Sequence, residues 1–265
     1  SVDTGAALSR ALVAVPTLRT LIASGNVLGA GGARVLASEG LPSAKSLTAL
    51  YMDGCGLRDA ALELLLNSLR SLEGSGLTSL SLRDNALAPD GCVSLAAFVS
   101  NAPPSLATLD VCSNMLTADG DEEGPVVDLI TQGLRPSSTL VTLALGGNAL
   151  GDEAAAAVVR ALPSCSPSLQ SLDVRSDSYS PGMATQLAHA ALSRHPHLQS
   201  FGGVPISAID AGTLTTVDLA GCALGPAEAS ALGQLALRSS PLAYCNVDGN
   251  ELLSVAELRG AAAGG

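Results

Sequence analysis

Large rings are nearly missing from this chain. Of 265 residues none is Trp, three are Tyr and two are Phe, although 47% are hydrophobic. Leu, Ala and Val must then fill the interior, which suits a regular stack of small equivalent sites. Positive charge is scarce as well: 13 Lys and Arg against 24 Asp and Glu leave a net charge of −11. That balance argues against a nucleic-acid backbone or anionic lipid as the main partner, and favours solubility or a basic partner. No apolar run approaches the roughly 18 residues of a membrane span. Ser1 to Leu8 has neither the basic start nor the long apolar stretch of a signal peptide. The six cysteines (Cys55, Cys92, Cys112, Cys165, Cys222 and Cys245) include no CxxC pair. This argues against a zinc site and for a reducing, intracellular compartment, cytoplasmic or organellar.

What the chain has in abundance is one phrase. Its clearest copy runs from Leu140 to Leu162, LVTLALGGNALGDEAAAAVVRAL. Leu140, Leu143, Leu145, Asn148 and Leu150 fill the slots of LxxLxLxxNxL, and Ala154, Ala155, Val158, Val159 and Leu162 follow at helical spacing. The phrase therefore reads as strand, turn and helix. It recurs from Leu18, Leu47, Leu77, Leu106, Leu140, Leu169, Leu198, Leu214 and Leu242, at spacings of 29, 30, 29, 34, 29, 29, 16 and 28 residues. We expect one domain over residues 1–265 with nine strand repeats. Neither end carries a polar capping unit, so we expect it to sit within a longer array or an assembly.

The physical logic of the slots is direct. Side chains alternate along a strand, so the fourth- and sixth-position residues point inward. An Asn in the turn (Asn26, Asn85, Asn114, Asn148, Asn250) can satisfy backbone groups that a tight bend leaves unpaired. Cys55 and Cys222 occupy the same slot and read as structural, Asp177 occupies it in the sixth copy, and Cys245 takes a fourth-position slot and is expected in the core. A period near 29 residues with a full helix per unit resembles the ribonuclease-inhibitor class of leucine-rich repeat. The resemblance covers nearly the whole chain. It implies an α/β solenoid, a horseshoe with a parallel sheet on the concave face and helices on the convex face. It also implies a protein-binding or scaffold role without catalysis and without a cofactor. With nine strands about 4.8 Å apart, the inner sheet is expected to run roughly 40 Å.

Third, fifth and seventh strand positions should face the concave side. Binding hot spots favour Tyr, Trp and Arg, which selects Tyr51, Arg83, Arg175 and Tyr244, together with Asp53, Asp110, Asp173, Asp218 and Asp248, as contact candidates. Cys112 is the one cysteine expected on that open face, and Asp110 beside it should keep the thiol inert. The aspartates are spread over many units, His189, His195 and His197 fall at a helix-to-strand return, and no nucleophile–base pair is evident. No enzymatic signature results.

Three copies break the pattern. The fourth has extra length over 117–125, with Asp119, Asp121, Glu122 and Glu123, and reads as a solvated acidic loop. The seventh has only 16 residues and, in FGGVPISAIDAG, no room expected for a helix. The last also resembles an EF-hand calcium loop: Asn246, Asp248, Asn250, Ser254 and Glu257 match ligand positions, but Glu251 stands where that family needs Gly. NALGDEAAAAVVRAL is moreover similar to units of the Ran GTPase-activating family. That implies GTPase activation as an alternative function, although the family's long acidic tail has no counterpart here.

Overall fold

The computed structural model describes residues 1–250 except 73–75, 119, 121, 194 and 239–241. Ser254 and Glu257 of the calcium-like copy, and Asp119 and Asp121 of the acidic insertion, therefore lie outside the described residues.

Strands and helices alternate throughout. They are α1 (Val2–Ala14), β1 (Thr20–Ile22), α2 (Gly29–Val35), β2 (Ala49–Tyr51), α3 (Arg58–Ser71), β3 (Ser79–Ser81), α4 (Pro89–Ser100) and β4 (Thr108–Asp110). Then follow α5 (Gly124–Gly133), β5 (Thr142–Ala144), α6 (Asp152–Ala161), β6 (Ser171–Asp173), α7 (Pro181–Ser193), β7 (Ser200–Phe201), α8 (Ile206–Asp210), β8 (Thr216–Asp218), α9 (Pro226–Leu237) and β9 (Tyr244–Asn246). All nine strands fall where the repeated phrase puts them. The named strands all pair in parallel, and the central residues Leu21, Leu50, Leu80, Leu109, Leu143, Leu172 and Phe201 stand in register. Each is buried, and with the helix leucines and alanines they form one continuous core. Neighbouring helices pack on one another along the outer layer.

Successive units are joined by more than the sheet. Asn85 Oδ1 accepts the backbone N–H groups of Cys55 and Leu57 at 3.0 and 3.2 Å. Asn114 serves Asn85 and Leu87 at 2.9 and 3.1 Å, and Asn148 serves Asn114 and Leu116 at 3.1 and 3.4 Å. Each amide also donates to carbonyls of its own and the preceding unit, as Asn114 Nδ2 does to Val111 and Leu82. Cys55 is buried in the same slot and donates its thiol to Ala23 O, as the slot requires.

A second inter-unit ladder runs along the helix starts. Asp59 accepts Ala88 N–H at 2.8 Å, Glu123 accepts Ala154 N–H at 2.7 Å, and Asp152 accepts Ser180 N–H at 2.8 Å. These acids satisfy donors in the next unit's loop or first helical turn. Glu123 is thus tied down, not a solvated member of an acidic loop. Gly151 makes room for it, because a Cβ there would lie 2.2 Å from Glu123 Oε1.

Three expectations need correction. The inner sheet is not continuous: β1 to β7 form one sheet and β8 with β9 a second. The larger sheet is therefore roughly 30 Å across instead of 40 Å. The cause is local. N–H groups alternate sides along a strand, and the sixth-position N–H of the first five units (Ala23, Met52, Leu82, Val111, Leu145) reaches the next strand. Phe201, two residues earlier in its own phrase, has the same orientation, but its N–H goes to Val204 O at 3.0 Å and its carbonyl takes Val204 N–H at 2.8 Å. Gly202 and Gly203, with φ of 54° and 85°, make that reversal feasible. The short seventh unit also has a helix after all, α8, one turn that buries Ile206 and Ile209. Finally, Asp177 is exposed, and Ser176 takes the buried place, donating its hydroxyl to Leu150 O at 2.6 Å.

Candidate protein-interaction face

The concave surface has three rows. The third-position row is nearly all hydroxyl: Thr20, Ser79, Thr108, Thr142, Ser171, Ser200 and Thr216, interrupted by Ala49. The fifth-position row runs from apolar to acidic, through Ile22, Tyr51, Ser81, Asp110, Ala144 and Asp173, and continues with Asp218 and Asn246 in the second sheet. The seventh-position row carries Asp53, Arg83, Cys112, Gly146 and Arg175.

Six of the nine expected contact residues lie in one stretch of this face, and five of them join a single polar network. Asp53 Oδ1 accepts Ser81 Oγ–H at 2.5 Å and Arg83 N–H at 3.0 Å. The Arg83 guanidinium donates to Asp110 at 3.0 Å, and Asp110 also accepts Cys112 N–H at 3.0 Å. The Cys112 thiol points to Asp173 at 3.8 Å. Asp173 is held bidentately by Arg175, at 2.9 Å from Nε and 2.6 Å from Nη2. Arg175 Nη1 then donates to the Cys222 carbonyl, across the gap between the two sheets. Tyr51 lies beside this network and takes a hydrogen bond from Ser79 Oγ at 3.3 Å.

The remaining three candidates are outside it. Asp218 is exposed and accepts Ala220 N–H at 3.1 Å, Tyr244 is 55% exposed on β9, and Asp248 is exposed beside Asn246. Asn250 spends its carboxamide on the repeat's own ladder, taking Leu224 N–H at 3.0 Å and donating to Leu219 and Val247 at 2.8 Å each. No group of three acidic, His or Cys residues suited to a metal occurs among the described residues.

Asp53, Asp110 and Asp173 are therefore spent on their own turns and arginines. What the face leaves open is different. Ile22 is 71% exposed, directly beside half-buried Tyr51 in the strand register. The Arg83 side chain is 41% exposed and shares only one N–H group with Asp110. Between Arg83 and Arg175 the row holds only Cys112 and Gly146. This makes a cleft of about 530 Å³ whose far wall is Gly221, Cys222 and Ala223, in the turn that follows β8. Ile22 was not among the expected contacts; an apolar residue at a concave strand position was the signal for it.

Two cysteines differ from expectation. Cys112 is buried, because the flanking Arg–Asp pairs close over its short side chain, and burial first, then Asp173 and Asp110, push its thiol far above the usual range. The thiol is inert as expected, but not open. Cys245 is exposed instead of in the core. β9 is the last described strand, and no described residue covers its central slot.

A family model for the leucine-rich repeat matches residues 77–96 and 137–159. The chain is 32% identical over 193 residues to the ribonuclease inhibitor of Sus scrofa, a match covering 72% of the chain and 40% of that protein. This chain is a leucine-rich repeat protein of the ribonuclease-inhibitor-like class. A second relative with such repeats is the NACHT, LRR and PYD domains-containing protein 14 of Mus musculus, 30% identical over 165 residues, covering 62% of the chain and 16% of that protein. The leucine-rich repeat chain thus spans less than half the length of these relatives. Among solved structures, a leucine-rich repeat-containing protein from Legionella pneumophila is similar at 17% identity, with a TM-score of 0.45 over 92% of this chain and 79% of that one. No described helix of this repeat protein is long and apolar enough to cross a membrane.

Proposed function

We propose that this leucine-rich repeat domain is a non-catalytic module that binds a protein partner on its concave face, with Ile22, Tyr51 and Arg83 as the anchor. The observation that supports this reading is Ile22, left 71% exposed on the concave face while the strand-centre residues Leu21, Leu50, Leu80, Leu109, Leu143 and Leu172 are buried. Beside it stand an aromatic ring and an open guanidinium, the combination that dominates binding energy at interfaces. The hydroxyl row offers adaptable hydrogen bonds along the same face, and the cleft beyond Arg83 has room for a partner side chain. The aspartate–arginine network stiffens this surface in advance, which lowers the ordering cost of binding.

The test is affinity purification from the native source with crosslinking, using wild type, Ile22→Ser/Arg83→Ala on the concave face, and Val93→Ser on the outer helix α4. Partner recovery should fall at least about tenfold for the concave double variant, equivalent to about 1.4 kcal/mol, and stay unchanged for Val93→Ser. The reverse pattern places the contact on the helices and overturns the reading.

A further inference from the structure

Two features coincide at the junction between β7 and β8. The backbone ladder stops there, and a carboxylate is buried there. Glu228, in the first turn of α9, is wholly inaccessible to solvent. Its Oε2 accepts Gly225 N–H at 3.1 Å, capping its own helix. Oε1 has no hydrogen-bond partner. The carboxyl lies against the backbone of Gly202, where a Cβ would come within 2.3 Å of Oε1. A group from the helix of the second sheet therefore presses on the last residues of the first.

The charged surroundings are unequal. From β6 and its turn come Asp173, Arg175 and buried Tyr179, whose hydroxyl donates to Val174 O. From α7 there is His189, exposed, and from α8 Asp210, which pairs at 3.6 Å with Arg238, the residue just after α9. Burial pushes the Glu228 carboxyl up to about 7, helped by Asp173 and opposed by the helix N–H groups and Arg175. Arg175 is also the residue that ties Asp173 to the Cys222 carbonyl across the break, and it lines the cleft opposite Gly221, Cys222 and Ala223.

We propose that Glu228 is a proton-operated latch between the two sheets, setting how firmly the two walls of the concave cleft are held together. Protonated, the carboxyl rests against Gly202 with one capping bond and leaves Arg175 on Cys222. Ionised, it needs a partner for Oε1, and Arg175 is the cation in its field. Drawing Arg175 inward releases the Cys222 carbonyl and loosens the wall formed by 221–223. The cleft then becomes responsive to pH around neutrality, whatever its partner.

Hydrogen exchange of the full chain at pH 6 and pH 8, corrected for intrinsic exchange rates, tests this on segments 200–205 and 214–226. Protection in wild type should fall about tenfold between the two, the change expected for a closed-state group titrating at about 7. Glu228→Gln should hold the pH 6 protection at pH 8. A wild-type pattern that ignores pH, or a Glu228→Gln pattern that keeps the step, overturns the latch. Should that variant fail to fold by circular dichroism, Arg175→Gln decides: fast exchange at both pH values is expected, and a retained step rejects the proposal.

Discussion

Asn114 receives the backbone N–H of Asn85 on its side-chain oxygen, 2.9 Å away and one full unit earlier in the chain. The same oxygen holds Leu87 N–H, while the amide nitrogen donates to Leu82, Val111 and Cys112. Removing such a side chain orphans several buried backbone groups at once. Asn114→Ala should therefore cost about 3 kcal/mol in urea unfolding, against less than about 1 kcal/mol for Asn26→Ala at the exposed first turn. Equal losses would mean the ladder adds nothing beyond each local turn.

Gly151 and Glu123 are coupled through space. Gly151→Ala should displace Glu123 from Ala154 N–H and cost about 1 kcal/mol. In a Glu123→Ala background the same change should cost only a few tenths, because nothing remains to be displaced. Chemical denaturation of the two single variants and the double variant measures this; simple additivity would show that the acid is not the constraint.

Left-handed turn residues offer stabilising changes. The eighth position of the phrase is left-handed as Gly in five units, but also as Asp84 and Ser113, with φ of 50° and 56°. Ala86, Ala149 and Ala223 are left-handed two positions later. Ala149→Gly should raise stability by about 0.5–1 kcal/mol, because glycine meets no Cβ penalty there. A lowered thermal midpoint would contradict it.

Glu228 makes stability depend on pH with a definite sign. Its folded-state carboxyl titrates near 7, above its ordinary value of 4.5. The folded protein thus holds this proton more tightly than the unfolded chain does. Its contribution is fully present below about 4.5 and is lost as pH rises through about 7, with a ceiling of about 3 kcal/mol. Glu228→Gln should gain on wild type by up to that amount at pH 8 and lose the advantage at pH 4. Urea midpoints across this range check it.

Thiol accessibility separates the cysteines. Native alkylation at pH 8, followed by mass spectrometry, should label exposed Cys245 first and leave Cys55, Cys92 and Cys112 unmodified. Burial lifts the Cys92 thiol to about 12 and Cys112 further still, so neither supplies thiolate. Early labelling of Cys112 would require a more open network than the structure holds.

The strand positions were readable because leucine spacing carries them: Leu21, Leu50, Leu80 and their successors stack where the phrase puts them. The asparagine ladder followed from the same register. The break after Phe201 was not readable, since it depends on where one N–H goes, and FGGV gives only the glycines that permit it. The helix-start ladder of Asp59, Glu123 and Asp152 was missed because its rungs join residues about 30 apart through side chains of two types. For the contact aspartates, alternation alone does not show that the carboxylates of Asp53, Asp110 and Asp173 already have donors of their own. Cys112 teaches the same lesson from the other side: a position that faces outward is still covered when charged side chains of its own and other units crowd around it.

The folded-back end of β7 has a mechanical consequence. Units joined in series fail at their weakest joint, and strands β1 to β7 are stitched edge to edge while β7 and β8 share no backbone ladder. Tension applied at the two ends of the stack is borne at that point by helix packing of α7 on α9 and by the Arg175 side chain. Under load the molecule should part there first, so the short seventh unit acts as a mechanical fuse, yielding while both flanking stacks stay intact.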